Sequence, residues 1–600
     1  MSMKISRRDL LKLGTYSTVL ITSSGLHGCN HEDGDYSFDH GVASGDPQHD
    51  SVVIWTRVTP AEDEDEAVIV SWQVATDRNF KDLVNEDYTQ VDAERDFTVK
   101  VDVQELQPNR RYYYRFKAGT AESPIGRTKT LPLNVVSQVR LAVVSCSNYP
   151  AGYFNVYREL SLKDNLDAIV HLGDYIYEYG RTDSDGSPAY ASEDAETLGR
   201  QVEPESELLT LADYRTRYAQ YRSDPDLQAA HAKHPFIVVW DDHEVANDTY
   251  ITGAENHDDA TEGSFEARKQ AAIQAYFEWL PLRPLTPDSE GRIYRQFEFG
   301  SLVNLMMLDT RIIGRDLQLD YADYIDPANG DFDAATFTQD VSSSQRTLLG
   351  AEQIAWLTDR MNHSTATWQV MGQQVLMMRM LLPAVTLTPD PLAPTVSLAE
   401  YGVIATAALT YQTLVANGVD GSDPAALLAA GMTEEQLAIV NDPLQMSYLE
   451  SPSIPYNLDA WDGYAYDREV ILANAKAAQK NLISFAGDTH NAWAGRLTDA
   501  AGDTVGIEFA TTSVTSPGLE EYLNFTTVEE ARANETGLTQ MVSDLDYCNL
   551  RERGYMVVTF NPDRAEAEWH FVDTIKHSSY QIVTELDKML ILSAGETTLQ

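Results

Sequence analysis

The stretch Ala168-Ile169-Val170-His171-Leu172-Gly173-Asp174-Tyr175-Ile176-Tyr177-Glu178 decides the reading of the fold. Its apolar half has the length and β-branched content of a buried strand, and Gly173 ends it. Polar chemistry follows at once, an aspartate and then a tyrosine three residues on. Other segments share that shape. Leu141-Ala142-Val143-Val144-Ser145-Cys146-Ser147-Asn148 runs out at a cysteine. Phe236-Ile237-Val238-Val239-Trp240-Asp241-Asp242-His243-Glu244 ends in four consecutive ionisable residues, and Leu482-Ile483-Ser484-Phe485-Ala486-Gly487-Asp488-Thr489-His490 ends in Gly-Asp-Thr-His.

In open α/β sheets the loops at the carboxyl ends of the strands converge on one edge, where ligands bind. Carboxylates there lose water and repel one another, so they are costly unless a cation neutralises them. Singly, each motif has a structural explanation: a strand-end cysteine is a small hydrophobe, and Gly-Asp is a common turn. His171, inside an apolar strand, reads as a satisfied core histidine. Together the motifs point to a metal cluster held by Cys146, Asp174, Tyr177, Asp241, Asp242, Asp488 and His490. Carboxylates suit hard cations such as calcium, whereas thiolate, phenolate and imidazole favour a transition metal, with ferric iron the natural partner of a tyrosinate. The expected cofactor is therefore mixed, Fe3+ near Cys146, Tyr177 and His490 with Ca2+ or another divalent ion among the aspartates.

Further buried-type strands, Val303 to Leu308 and Trp368 to Gly372, alternate with helix-like segments at Ser264 to Leu280, Ala351 to Met361 and Asp467 to Gln479. This alternation predicts an α/β domain over 138–600, a β-sheet sandwich flanked by helices. The returning strands Tyr555 to Phe560 and Ala567 to Val572 predict mixed sheets. Residues 381–460, rich in Ala, Pro and Leu, break the rhythm and read as an inserted helical subdomain. Residues 36–132 read as a small all-β sandwich, immunoglobulin- or fibronectin-like, with strands at Ser51 to Val58, Val68 to Val74 and Phe97 to Val103. In it, Leu106-Gln107-Pro108 followed by Tyr112 resembles the tyrosine corner of such sandwiches.

Residues 1–30 read as an address. Ser6-Arg7-Arg8-Asp9-Leu10-Leu11-Lys12 before a short apolar run resembles a twin-arginine signal, which makes the twin-arginine export machinery a partner. The run is too short for a membrane span, and no later run is long enough for a transmembrane helix in the mature chain. Leu26-His27-Gly28-Cys29 resembles a lipoprotein processing site, with Cys29 carrying a lipid anchor at the periplasmic or cell surface. His27 departs from the small residue usual there, and the alternative is a soluble leader cleaved nearby. With 44 basic and 92 acidic residues the net charge is −48, which argues against nucleic-acid binding through phosphates. If Cys29 belongs to a processed segment, the other two cysteines leave open a single Cys146–Cys548 disulfide.

Taken in order, these motifs are similar to those of the PhoD-like alkaline phosphatases and phosphodiesterases within the calcineurin-like metallophosphoesterases. The likeness also includes Gly41-Val42-Ala43-Ser44-Gly45-Asp46-Pro47, Val53-Ile54-Trp55-Thr56-Arg57, Leu308-Asp309-Thr310-Arg311 and Trp461-Asp462-Gly463-Tyr464. It implies that Asp174 bridges two metals, that Tyr177 binds ferric iron, and that Cys146 takes the first-strand ligand position. It implies that Asp242 stands where the wider superfamily has an asparagine, with His243 as the catalytic contact to the phosphate. Asp488 and His490 would occupy the last ligand loop, and Arg311 resembles a second phosphate contact. The implied function is exported hydrolysis of phosphate esters by a metal-activated hydroxide. The alternatives are a phosphodiesterase or phospholipase D-like activity on phospholipid or teichoic-acid-like chains, and, from another class, a non-catalytic surface-binding lipoprotein.

Overall fold

The computed structural model describes residues 36–60, 67–283, 292–326, 332–387, 396–525 and 527–600. The twin-arginine segment and Cys29 lie outside them. Two large sheets dominate. One has nine strands in the order Lys588–Ser593, Arg564–Val572, Arg553–Phe560, Val139–Val144, Ala168–His171, Pro235–Val238, Val42–Gly45, Val52–Arg57, Thr98–Val103. The other has seven, Arg295–Phe299, Val303–Met307, Trp368–Gly372, Asn481–Ala486, Thr504–Ala510, Ala492–Thr498, Leu545–Asn549. Each sheet is parallel at its centre and antiparallel at its flanks. The central strands Ala168–His171 and Pro235–Val238 are buried along their whole length. That explains their continuous apolar sequence, because parallel strands are covered on both faces.

The sheets pack face to face through aromatic side chains. Phe485 meets Phe560 with ring centroids 6.3 Å apart, and Phe509 meets Trp569 at 5.8 Å, contacts that contribute about 0.5–1.5 kcal/mol each beyond area burial. The Trp569 indole also donates to the Ala510 carbonyl at 2.9 Å. Helices Gly350–His363 and Ala465–Ala477 bury Leu357, Met361, Ile471 and Leu472 in the cluster behind the seven-stranded sheet. Helices Asn155–Leu162 and Pro225–Lys233 bury Val156, Leu160, Leu227 and Ala230 in the main core. Among the described residues, no helix is long and apolar enough to cross a membrane.

The all-β N-terminal region is present, but its two layers differ in standing. One is a separate sheet of Gly126–Lys129, Arg111–Ala118, Val68–Ala75 and Leu83–Val91, with Ala121–Glu122 on one side. The other layer is the end of the nine-stranded sheet, where Ser44 and Gly45 pair in parallel with Pro235 and Phe236. The Tyr112 hydroxyl accepts the Gln107 N–H at 2.8 Å, the closure a tyrosine corner requires. Cys146 and Cys548 are both free, buried thiols. The disulfide left open by the cysteine count does not form, because Cys548 sits opposite Trp493 on the outermost strand of the other sheet.

Between residues 381 and 460 the chain leaves the sandwich through an antiparallel neck, Leu381–Pro383 against Ser453–Pro455. Beyond the neck lie helices Leu398–Ala416, Pro424–Ala429, Glu434–Val440 and Pro443–Tyr448. Ser397 with Glu400 and Thr433 with Gln436 form capping boxes at two of their starts. A small core of Val396, Tyr401, Ile404, Ala407 and Ile439 holds them together.

Candidate metal centre

The carboxyl ends of the strands from both sheets meet at one edge. Val514 N–H donates to the Ser145 carbonyl at 3.0 Å, and Ser145 and Ser513 form a parallel bridge between the sheets. Gln374 adds a second stitch, donating to the Trp240 carbonyl at 2.7 Å and accepting the Gly487 N–H through its own carbonyl at 2.6 Å. Each strand then turns sharply. Cys146, Asp174, Asp488 and His490 all have left-handed backbones, with φ of 60°, 53°, 60° and 64°, a conformation that costs a non-glycine residue on the order of 1 kcal/mol or more. Gly173 has φ 113° and sits so close to the Asp241 backbone that a Cβ would lie 2.5 Å from its nitrogen.

These turns bring every predicted ligand together. Cys146, Asp174 and His490 present donor atoms within 4.8 Å of one another, as do Asp174, Asp242 and His243, and again Asp241, Asp242 and Asp488. Asp174 belongs to the first two groups and Asp242 to the last two, so the groups form a chain. The Tyr177 hydroxyl joins the first group, 3.0 Å from Asp174 Oδ2, 3.3 Å from His490 Nε2 and 2.6 Å from Ser516 Oγ. One oxygen of Asp174 and one of Asp242 are buried without a hydrogen-bond partner. Buried carboxylate oxygens are seldom left so, and cations among these groups would satisfy both. The donor chemistry fits: sulfur, phenol, imidazole and carboxylate in one group, carboxylates alone in the last.

Electrostatics point the same way. Burial raises the pKa of the Cys146 thiol, the Tyr177 phenol and the Asp174 and Asp488 carboxyls well above their ordinary values. Burial lowers His490 to about 3, so its ring is a neutral donor. The principal cation of the protein itself is Arg311, wholly buried. Its Nε donates to Asp241 Oδ1 at 2.5 Å, Nη1 to Asp459 Oδ1 at 2.8 Å and Nη2 to Asp488 Oδ1 at 3.2 Å, with Asp242 Oδ1 at 3.7 Å. One guanidinium thus faces four carboxylates.

His243 Nδ1 lies 2.7 Å from Glu178 Oε2, and its ring lies 4.3 Å from that of Tyr177, tilted by 33°. Burial opposes its charge, but Asp242, Glu178 and Asp174 hold its pKa well above the ordinary histidine value. His171 is the satisfied core histidine the strand pattern suggested: Nε2 meets the Tyr157 hydroxyl at 2.9 Å and Nδ1 accepts the Gly173 N–H at 3.3 Å.

Several residues at the site were not singled out from sequence. Glu244 accepts the N–H groups of Asp174, Tyr175 and Asp241 at 3.1, 2.5 and 2.6 Å, clamping two ligand loops together. Arg217, from helix Leu211–Arg222, grips the carbonyls of Tyr177 and Tyr179. Ser516 touches Tyr177, and the Pro517 carbonyl accepts from His490 Nδ1 at 2.6 Å. Asp459 bonds Arg311 and Arg315 from the last residues of the inserted segment. Glu244 was visible as the fourth member of the Asp-Asp-His-Glu run. The other positions carry no local signal, because their partners lie far along the chain.

The chain is similar to known proteins over most of its length. The family model for PhoD-like phosphatases matches residues 141–569, and that for their N-terminal domain matches residues 23–132. Alkaline phosphatase D of Bacillus subtilis (strain 168) is 32% identical over 587 residues, covering 94% of this chain and 84% of the relative. A solved PhoD structure superposes with a TM-score of 0.69 at 30% identity, over 94% of this chain and 91% of that one.

Proposed function

The chain belongs to the PhoD-like phosphatase family, and from that premise we propose that it hydrolyses phosphate esters at the site formed by Cys146, Asp174, Asp242 and His490. The observation that carries this reading is the chain of three ligand groups linked by Asp174 and Asp242. Cys146, Tyr177, Asp174 and His490 are the set suited to ferric iron. Asp174, Asp241, Asp242 and Asp488 are the set suited to calcium or a similar divalent ion. When bound, such cations polarise the phosphoryl oxygens and acidify water.

The protein's own groups do the rest. Glu178 holds the Nδ1 proton of His243 and so fixes the ring, leaving Nε2–H to donate to a phosphoryl oxygen as charge develops. Arg311 holds Asp241, Asp459 and Asp488 in place. Its Nη2, with the longest contacts, is the end best able to reach a bound phosphate. The test is Asp174→Asn, which removes the carboxylate common to two groups. Hydrolysis of 4-nitrophenyl phosphate should fall by at least on the order of 10²-fold, with loss of iron and calcium by elemental analysis. A purified Asp174→Asn protein with normal turnover would refute the assignment.

The address in residues 1–30 supports export by the twin-arginine route, with the mature protein in the periplasm or held at the surface by acylated Cys29. Arg7→Lys with Arg8→Lys should retain the protein in the cytoplasm. Fatty-acid labelling that vanishes in Cys29→Ser would support the anchor.

A further inference from the structure

We infer that Tyr179, Tyr190 and Tyr522, on the outward side of the three ligand groups, select phosphate esters whose alcohol is planar or apolar. This inference rests on the phosphate-ester reading above. Exposure rises from 1% at Asp174 through 7% at His243 and 8% at His490 to 48% at Tyr522, so this side of the site leads to solvent. Along that path the side chains become aromatic. The Tyr179 ring lies 5.4 Å from His243 and 5.5 Å from Tyr190, and the Tyr190 ring lies 6.1 Å from Tyr177. The Tyr190 hydroxyl is 3.4 Å from both His490 Nδ1 and the Tyr522 hydroxyl.

Three phenol rings, two from residues 179–190 and one at residue 522, therefore lie together between His243 and His490 and solvent. Rings so placed give a planar or apolar group offset-stacked and edge contacts. The Tyr190 and Tyr522 hydroxyls face each other, so less of their polarity is left for a polyhydroxylated alcohol.

The test compares phenylphosphonate with methylphosphonate as inhibitors of the metal-loaded enzyme, which avoids differences in leaving-group reactivity. Phenylphosphonate should inhibit about tenfold more tightly, the gain expected of one or two good aromatic contacts. The ratio should fall toward one in Tyr522→Ala and Tyr179→Ala and persist in Tyr522→Phe, which keeps the ring. Inhibition by both phosphonates at equal concentrations in the wild type would overturn the collar while leaving the hydrolase reading intact. A tenfold ratio unchanged in both alanine variants would overturn it too, since selection would then lie elsewhere. If neither phosphonate nor inorganic phosphate inhibits, the phosphate-ester reading itself falls.

Discussion

At the residue scale the site combines strain with uncompensated charge. Four of the predicted ligand residues adopt left-handed backbones, and the acidic groups around Asp174 and Asp488 exceed what Arg311 and His243 can neutralise. Without cations, burial favours the protonated forms of the Asp174 and Asp488 carboxyls, the Cys146 thiol and the Tyr177 phenol, whereas Arg311 and His243, against burial, lower Asp242 to about 2. Cation binding must therefore release protons. Adding calcium and iron to metal-stripped protein in weak buffer at pH 7 should acidify the solution, and apparent affinity should rise with pH. The sign for stability follows. Acids whose folded pKa is raised bind more protons folded than unfolded, so the metal-free protein should lose stability as pH rises above the ordinary carboxylate range. Thermal unfolding of stripped protein across pH 5 to 8 checks this. His243 belongs to a different part of the chemistry. His243→Ala should lower kcat by about 10²-fold while elemental analysis finds the metals retained; loss of iron in that variant would make His243 a ligand first.

At the element scale the sharp strand ends matter more than the strands. Residues 487 and 145 come from different sheets, and a Cβ on Gly487 would lie 2.6 Å from the Ser145 hydroxyl. Gly487→Ala should therefore push the last ligand loop away from the first. A destabilisation of about 1–3 kcal/mol by denaturant unfolding is expected, along with weaker metal retention. Unchanged stability would mean that the two loops are not held as closely as the geometry states. The strands themselves were legible. Trp368–Gly372 matches its sequence reading to the residue, and Val303–Met307 and Asn481–Ala486 differ from theirs by one. Leu83–Val91 was not legible, since its nine residues are mostly exposed and show no alternation. Val42–Gly45 was not legible either, being too short and too rich in small residues to stand out.

At the scale of the whole molecule the N-terminal strands are structural parts of the catalytic sheet. Val42–Gly45, Val52–Arg57 and Thr98–Val103 extend it beyond Pro235–Val238, the strand that delivers Asp241 to Glu244. Removing residues 36–132 would expose that strand's edge together with apolar surface it now shares with Trp55 and Trp279, whose rings lie 5.9 Å apart. A chain starting near residue 133 should be recovered as aggregate, or fail to bind metal when refolded. A soluble, active fragment, measured by gel filtration and ester hydrolysis, would show the two regions to be independent. The inserted helices have their own core and leave through a narrow neck, yet Asp459 at their far end bonds Arg311 inside the site.

The sequence by itself determined the strands, the polar ends that carry the chemistry and the family, because each of these is written in contiguous residues: an apolar run, a glycine, then donors. Only the tertiary structure decided that Asp174 and Asp242 are each shared by two of the three groups able to hold a cation, that Arg311 is a buried counter-charge, and that the N-terminal layer continues the nine-stranded sheet. Those facts depend on distances between segments hundreds of residues apart. They are set by how two sheets pack and stitch at their carboxyl edges, which no local pattern encodes.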